Sequence, residues 1–480
     1  MPPTIPLSLQ WTLAAAIVLY ISVMYGIAWL ARRRITTAED YIVAGRRLPF
    51  SLAWMTLLAT WFGAGTLLTA TDEVRREGLH AAALDPLGAG LCLILAGIFV
   101  AGPMWRMQLL TLPDFFRRKY GRTAEVLSAA IMVPSYFGWI AAQFVALAGI
   151  LELYFGLDPR IGIAVVAIVG GGYTVMGGMW SVTLTDSVQI SLVLVGVVVL
   201  GLVVFGQLGD GSFAAGLARL PAELPAHKLD WIPTADLQAF TGWVAVLAIG
   251  ALGNLPGQDL LQRIFAARSQ RVAQGACLFA GVAYLAFGMI PVALGLGANL
   301  VDSGADRSVL PILANAFLSP PVAIVFVVAV FSAVLSTIDS AIIAPSSVLA
   351  QNVLGPALGA DPLRLNRWAT VIVTAGSLLV AYAGESAYSL LESAYAATLV
   401  GLLVPMMFGL YTRPRHPASA VASILLGTGI WLVHLLCGWE NFLQPIQSMA
   451  VPPLPIALAA TACSLLAYLC FEPPWRMRSA

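Results

Sequence analysis

Long apolar segments, separated by short polar ones, run along the whole chain. A helix needs about 20 apolar residues to cross the hydrocarbon core of a bilayer. Thirteen segments meet this requirement, at residues 9–31, 48–71, 82–104, 123–153, 161–179, 186–206, 241–262, 272–299, 320–348, 366–384, 390–411, 417–437 and 451–471. The pattern therefore predicts an all-α polytopic membrane protein with about thirteen transmembrane helices.

The lysines and arginines give these helices a direction. If the N-terminus is outside, the segments that fall inside hold 19 of the 25 Lys and Arg residues, and the outside segments hold 6. Positively charged loops stay on the cytoplasmic side. The split predicts a multi-pass protein of the plasma (inner) membrane with its N-terminus outside and its C-terminus in the cytoplasm.

Composition narrows the function classes. Of 480 residues, 59% are hydrophobic and 10% charged, and the mean hydropathy is +0.87, whereas a soluble domain is about 25% charged. A soluble multi-domain enzyme is excluded, and a net charge of +1 leaves no basic face for nucleic acid. The five cysteines and four histidines show no zinc-ligand spacing. We expect neither an enzyme nor a metalloprotein, and no metal ion beyond sodium.

Two predicted helices contain helix-breaking residues near their middles. Gly63 and Gly65 interrupt the span 48–71, and the span 241–262 contains Gly250, Gly253, Asn254, Pro256, Gly257, Gln258 and Asp259. Transporters unwind helices at this depth so that free backbone groups bind ions and substrate, although glycine is also a packing residue in membrane helices. If the first span is peripheral, the breaks lie in core helices one and six, which correspond in two five-helix halves. These matched positions favour binding.

A sodium-type site is predicted in the span 320–348. Ala333, Ser336 and Thr337 stand at i, i+3 and i+4 and share one helix face. Two hydroxyls and a carbonyl are hard oxygen ligands, and without a carboxylate they suit a monovalent cation. Carbonyls freed near Ala59 and Phe62 could complete the set. The alternative is that both hydroxyls bond to carbonyls of their own helix.

Asp186, Asp339 and Asp85 are acids in or near the predicted spans that need a separate interpretation. Carboxylates inside a membrane are costly and are functional candidates by default. Asp186 could attract a cation leaving inward, or it could cap a helix N-terminus. Asp339 lies within one turn of Ser336, and Asp85, before Pro86, could be only interfacial.

Five stretches together resemble the sodium:solute symporter family. They are 38–47, 58–65, 177–189, 257–263 and 335–340, in the order in which that family has them. The resemblance implies a leucine-transporter-like fold of two inverted five-helix repeats and sodium-coupled uptake by alternating access. It divides the chain into an extra helix and loop (1–47), two repeats (48–206 and 241–411), an extracellular connector (207–240) and two extra C-terminal helices (412–480).

The resemblance also implies roles for single residues. The sodium ligands would be the carbonyls of Ala59, Phe62 and Ala333 and the hydroxyls of Ser336 and Thr337, with Asp186 on the inward sodium route. Trp61 and Trp139 look like cage tryptophans of the choline-transporter branch, which holds a quaternary ammonium by cation–π attraction. The chain has Gly257 and Ala89 where that branch has a tryptophan and a tyrosine.

The substrate stays open between organic cations, amino acids, sugars and carboxylates. The candidate substrate-binding residues are Trp61, Gly63, Gly65, Trp139, Asn254, Gly257 and Gln258. The leading hypothesis is a sodium-coupled secondary active symporter for a small organic solute. The alternatives are a proton-coupled symporter of the same fold and a transporter-like sensor that signals to a separate partner. The oligomeric state is not predicted.

Overall fold

The chain is almost entirely helical. The computed structural model describes residues 7–301, 308–383, 387–414, 416–444 and 453–472. Its long helical segments are α1 (Leu7–Ala31), α2 (Phe50–Trp61), α3 (Gly65–Glu77), α4 (Leu79–Arg106), α5 (Arg122–Phe155), α6 (Pro159–Leu208), α7 (Leu237–Gly253), α8 (Gln258–Ala266), α9 (Gln270–Val301), α10 (Pro320–Leu358), α11 (Pro362–Tyr382), α12 (Ser389–Tyr411), α13 (Pro417–Cys437) and α14 (Ile456–Phe471). Shorter helices in the connections are Ala38–Val43, Leu112–Tyr120, Phe213–Glu223 and Val309–Phe317.

The predicted spans fall on these helices. Among the described residues, nine helices are long and apolar enough to cross a membrane, or ten if the bent pair α2 and α3 is one span. Helix α6 has 50 residues, about 75 Å at 1.5 Å per residue, which is more than twice the bilayer core. It therefore holds two of the predicted spans. If α11 and α14 are included, the helices correspond to the thirteen predicted segments. That all thirteen segments cross the membrane stays a prediction.

Helix α6 turns at a glycine where two predicted spans meet. Gly178 has φ 51° and ψ −157°, a backbone conformation that favours glycine. A Cβ there would lie 2.6 Å from a ring carbon of Tyr41 in the first loop. The helix then continues unbroken through Asp186, so the predicted connection at 180–185 is helical. Asp186 consequently lies inside a helix and does not cap one.

Segments predicted on the same side of the membrane bond to one another. On the predicted inner side, the Arg46 guanidinium donates to the Leu109 carbonyl at 3.0 Å, and that of Arg122 to the Asn352 carbonyl at 3.3 Å. On the predicted outer side, the Lys228 ammonium donates to the Arg75 carbonyl at 2.6 Å. These contacts agree with the prediction that the connecting segments alternate between the two sides of the membrane. Four arginines of the charge count (Arg307, Arg415, Arg476 and Arg478) and the first residues of the span 451–471 lie outside the described ranges.

The predicted inner ends of the two interrupted helices are hydrogen-bonded to each other. The Leu48 N–H, just before α2, donates to the Ala266 carbonyl at the end of α8 at 3.0 Å, and the Leu48 carbonyl accepts from the Arg268 N–H at 3.0 Å. The Gln262 amide of α8 donates to the Ile42 carbonyl at 2.6 Å. Helices α2 and α8 thus share one anchoring segment.

The stretch 207–240 carries the helix Phe213–Glu223, which is largely exposed. Arg219 in this helix donates to the Leu208 carbonyl at the end of α6 at 2.9 Å. The connector therefore folds back on the end of α6 through this short helix.

Candidate ion and substrate site

The first core helix is broken at the predicted point. Helix α2 ends at Trp61, Phe62 has non-helical angles (φ −80°, ψ 60°), and α3 leaves at 53° to α2. A break of this kind leaves carbonyls at the end of α2 without partners in the same helix. A Cβ on Gly63 would lie 2.8 Å from the Thr337 Cβ and 3.0 Å from the Gln143 side-chain oxygen. Glycine at 63 therefore lets the break approach α10 closely.

Four of the five predicted sodium ligands lie together at this break. The Ser336 hydroxyl is 3.1 Å from the Ala59 carbonyl and 2.7 Å from the Ala333 carbonyl. The Thr337 hydroxyl is 3.5 Å and 3.2 Å from the same two oxygens. The alternative, that both hydroxyls bond to carbonyls of their own helix, holds in part, since both bond to the Ala333 carbonyl. They also reach across to α2, which helical back-bonding alone does not explain.

The fifth predicted ligand, Phe62, lies at the break itself. Its side chain is buried and packs edge-on against Tyr284, with ring centroids 5.4 Å apart. The backbone beside it is held by Gln143, whose side-chain oxygen accepts from the Ala64 N–H at 3.0 Å. The Phe62 carbonyl as a sodium ligand stays a prediction.

A small cavity lies beside the second break, between α5, the α7–α8 junction and α12. It measures about 10 Å³, the room of about one water molecule. Its lining residues are Ser135, Tyr136, Trp139, Asn254, Gly257, Ala394, Tyr395 and Thr398. The Trp139 ring lies 5.6 Å from the Tyr136 ring and 6.1 Å from the Tyr395 ring. A solute larger than one water molecule does not fit this cavity as it stands.

A buried carboxylate lies behind this cavity. Asp259, in the first turn of α8, accepts hydrogen bonds from the Tyr136 hydroxyl and, at 2.5 Å, from the Trp61 ring N–H. A Cβ on Gly257 would come within 2.8 Å of its carboxylate. Gly257 thus leaves room for Asp259 at the position where the choline branch is expected to have a tryptophan.

The predicted substrate residues divide into two groups. Trp139, Asn254 and Gly257 line the cavity, whereas Trp61, Gly63, Gly65 and Gln258 do not. The Gln258 amide group accepts from the Leu112 N–H at 2.8 Å and donates to the Leu110 carbonyl at 3.1 Å. Trp61 contacts the site through Asp259. Gln258 therefore holds α8 to the 110–112 segment, and its position gives no support to a substrate contact.

Asp186 belongs to a buried charge cluster beside the predicted ion site. Its carboxylate accepts from the Thr56 hydroxyl at 2.5 Å and lies 3.8 Å from the Arg263 guanidinium. Arg263 also donates to the Ser340 hydroxyl at 2.5 Å. Neither oxygen of the neighbouring Asp339 accepts a hydrogen bond from the described residues. Thr56 lies about one turn before Ala59, so the cluster adjoins the ion site on its predicted inward side.

Sequence reasoning assigned no site role to four residues that shape the site: Gln143, Asp259, Arg263 and Tyr395. Asp259 lies inside the predicted span 241–262 and Arg263 directly follows it, and ionisable residues at this depth were a readable signal. Gln143 and Tyr395 carried no such signal, because nothing in the sequence marks which face of α5 or α12 meets the breaks.

The chain is similar to known transporters over most of its length. Residues 41–427 match the model of the sodium:solute symporter family. The high affinity choline transporter 1 of Homo sapiens is 28% identical over 367 residues, which are 71% of this chain and 61% of the transporter. The match thus spans about three fifths of the human protein. The sodium/proline symporter of Staphylococcus aureus is 22% identical over 466 residues, 91% of this chain and 87% of the symporter.

Solved structures show the fold. A Na+-coupled sialic acid symporter in a substrate-bound outward-open state superposes with a TM-score of 0.79 at 17% identity, covering 97% of this chain and 98% of that one. Mhp1, a nucleobase-cation-symport-1 family transporter, gives a TM-score of 0.60 at 14% identity, covering 91% and 94%. The predicted leucine-transporter-like fold with its inverted repeats is confirmed.

These findings also agree with sodium as the predicted coupling ion, which the family and the sialic acid symporter carry in their names. The multi-pass membrane class follows from the apolar helices and the family together. On the match over residues 41–427, the chain belongs to the sodium:solute symporter family, which is a family of transporters and not of enzymes.

Proposed function

We propose that the chain is a sodium-coupled secondary active symporter that imports a small organic solute by alternating access. The observation that carries this proposal is the meeting of the Ala59 and Ala333 carbonyls with the Ser336 and Thr337 hydroxyls at the broken first core helix. Membership of the sodium:solute symporter family supports it. The 19 to 6 division of Lys and Arg residues between predicted inner and outer segments supports a location in the plasma (inner) membrane. It also supports an N-terminus outside and a C-terminus inside.

The two breaks support the division into repeats. They lie in the first predicted span of the segments 48–206 and 241–411. We propose these segments as the two five-helix units, with 1–47 and 412–480 as added helices and 207–240 as the outer connector. Sodium at the Ala59 site would bridge α2 and α10, with the Phe62 carbonyl as a further ligand. It would thereby fix the break in one geometry, while Asp186 would attract the ion on its way inward.

The substrate that suits the cavity carries a positively charged nitrogen. Trp139, Tyr136 and Tyr395 present aromatic rings, whose faces attract cations, and Asp259 supplies a buried counter-charge behind them. Choline and proline, the solutes named for two relatives, share this feature. We therefore propose an organic cation or an amino-acid-like solute bound by Trp139, Asn254 and Gly257, with Trp61 holding Asp259.

Sodium coupling is tested by uptake into proteoliposomes with and without an inward sodium gradient. The double variant Ser336→Ala/Thr337→Ala should raise the sodium half-saturation about hundredfold, because each lost ligand oxygen removes about 1.5 kcal/mol of interaction with a charged group. Ser346→Ala is the matched control, since that buried hydroxyl of α10 bonds only to the Ile342 carbonyl, at 2.6 Å.

Three results would contradict the proposal. Uptake that is equal with and without sodium, or driven by a proton gradient alone, would remove sodium coupling. Ligand binding without turnover would favour the sensor.

The substrate class is tested by a thermal-shift screen in sodium. Quaternary ammonium and amino-acid solutes should raise the melting temperature, because a ligand of the folded state stabilises it. Asp259→Asn should weaken binding of a hit at least tenfold, since a charged hydrogen-bonded contact contributes about 1.5–3 kcal/mol. Hits confined to sugars or carboxylates, or an Asp259→Asn variant with unchanged affinity, would overturn this assignment.

A further inference from the structure

A second, larger cavity lies at the predicted outer ends of four helices. It measures about 670 Å³ and is lined by the first half of α7, the first turns of α12, the last turns of α13, the segment 438–441 and the start of α14. Pockets that hold small organic ligands measure about 300–1,000 Å³. None of the described residues that line it also lines the small cavity at the second break, so the two are separate spaces.

The larger cavity presents negative charge. Glu392 of α12 is half-buried, Glu440 is exposed, and their carboxylates are close enough to repel each other. Among the described residues, no arginine or lysine lines the cavity, and no donor forms a hydrogen bond or ion pair with the Glu392 side chain. Two carboxylates without a counter-charge attract a cation.

His434 lines this cavity and adds no positive charge. The Leu443 N–H donates to its Nε2 at 3.1 Å, so this nitrogen carries no proton. The proton is then on Nδ1, which donates to the Ile430 carbonyl at 2.8 Å. The neutral imidazole packs edge-on against Trp439, with ring centroids 5.3 Å apart. It therefore positions an aromatic wall and leaves the charge of the two glutamates uncompensated.

Two indole rings line the same space as the glutamates. They are Trp431 of α13 and Trp439 in the segment that follows it. That segment is fixed by the Phe442 N–H, which donates to the Leu454 carbonyl at 2.8 Å. Indole faces attract cations. Carboxylates and indoles in one cavity suit a ligand that carries both a positive charge and an apolar group.

We propose that this cavity binds an organic cation with an aromatic group, and that the bound cation inhibits transport without occupying the substrate site. Helices α7 and α12 line both cavities. They are joined where the Thr398 hydroxyl donates to the Gly253 carbonyl at 2.6 Å. On α12, Tyr395 lines the small cavity and the next residue, Ala396, lines the larger one.

These shared helices give the bound cation its effect. A ligand between the predicted outer parts of α7 and α12 stabilises their present arrangement, because it binds that arrangement in preference to others. In this arrangement the small cavity has room for about one water molecule. The cation should therefore lower the maximal uptake rate without competing with the solute. The binding site stands without the proposed function, whereas the inhibition rests on it.

Binding is tested by isothermal titration calorimetry on the purified full chain in detergent. The probe is benzyltrimethylammonium, and benzylsulfonate is the anion of similar size. The cation should bind and the anion should not. Glu392→Gln should weaken binding of the cation about tenfold or more, because it removes the charge that the cation meets.

A cavity-filling variant tests the location. A Cβ on Gly242 of α7 meets nothing within 4 Å, so the side chain of Gly242→Leu enters the cavity without displacing its wall and should abolish binding. Gly429→Leu is the matched control, since a Cβ on that helical glycine of α13 also meets nothing within 4 Å and Gly429 does not line the cavity. Asp259→Asn, which changes the substrate site, should keep the affinity for the cation within twofold.

Inhibition is tested by solute uptake into proteoliposomes. Benzyltrimethylammonium should lower the maximal rate of the wild type with an unchanged KM, and it should have no such effect on Gly242→Leu. A raised KM with an unchanged maximal rate would overturn the regulatory role. If the wild type binds the cation but shows no sodium-driven uptake, the proposed function fails and the site stands.

Four binding results would overturn the site. They are no binding of the cation, equal binding of benzylsulfonate, affinity within twofold of the wild type in both Glu392→Gln and Gly242→Leu, and loss of binding in Asp259→Asn alone. The last result would place the cation in the substrate site. Binding in detergent that disappears in lipid nanodiscs would show that lipid fills the cavity, and it would also overturn the inference.

Discussion

Replacing Gly63 by alanine should weaken the sodium site more than it weakens the fold. The new methyl group would enter the space between the break and α10, 2.8 Å from the Thr337 Cβ and 3.0 Å from the Gln143 oxygen. Neither neighbour can move freely. Thr337 is β-branched and buried in α10, and Gln143 holds the Ala64 N–H. The break must therefore shift away from the hydroxyls of Ser336 and Thr337.

The magnitude follows from the size of the overlap. Adding one buried carbon to a well-packed site is unfavourable by about 1–3 kcal/mol. If this energy opposes the sodium-bound geometry, the sodium half-saturation rises about 5- to 150-fold, because 1.36 kcal/mol corresponds to a factor of ten. The opposing gain, from the lower conformational entropy of the unfolded chain when glycine is replaced by alanine, is smaller, about 0.4–1 kcal/mol.

Gly149→Ala is the matched control for this measurement. Gly149 also lies in a transmembrane helix, α5, and a Cβ there meets nothing within 4 Å. Both variants are compared by ²²Na+ binding and by thermal unfolding with and without sodium. The reasoning is refuted if Gly63→Ala binds sodium within twofold of Gly149→Ala, or if its melting temperature falls equally with and without sodium.

Three further predictions concern other parts of the molecule. Trp61→Phe keeps an aromatic ring but removes the N–H that donates a hydrogen bond to Asp259. The affinity for a cationic solute from the screen should therefore fall about tenfold. Unchanged affinity in a binding titration would show that Trp61 does not position Asp259. Gly178→Ala should lower the melting temperature by more than Gly156→Ala does, because both have positive φ but a Cβ meets neighbouring atoms only at Gly178; equal losses would show that backbone conformation alone matters. Burial raises the pKa of Asp40, but hydrogen bonds from the two preceding threonines outweigh it and hold the pKa below its usual value. Asp40 therefore stabilises the fold above about pH 4, and this contribution is lost as the pH falls through the folded pKa; unfolding titrations of Asp40→Asn should show a deficit of about 1 kcal/mol at neutral pH that vanishes in acid.

The hydrophobic pattern predicted the helices closely because a bilayer sets their length. The predicted segment 123–153 is the helix Arg122–Phe155, and 417–437 is Pro417–Cys437. The prediction was less accurate between 180 and 185, the residues left between two predicted spans, because Ser181, Thr183 and Thr185 are helical there. These side chains are buried inside α6, so their polarity marked a buried face near Asp186 and not a loop.

The sites were harder to predict than the helices, because they depend on contacts between distant segments. Ser336 and Thr337 could be read from their spacing on one helix. Gln143 could not, since its role depends on Ala64, which is 79 residues away. A single sequence does not show which face of α5 meets the break between α2 and α3.

The anchoring segment shared by α2 and α8 has a mechanical consequence. The bonds from Leu48 to Ala266 and Arg268, and from Gln262 to Ile42, hold the predicted inner halves of both broken helices to the segment 42–48. We expect a displacement of α2 or α8 to move the other helix as well. The two helices should then tilt together about the breaks near Phe62 and Gly257. An ion bound at the first break and a solute bound at the second would then act on the same pair of helices. Their coupling would need no direct contact between ion and solute.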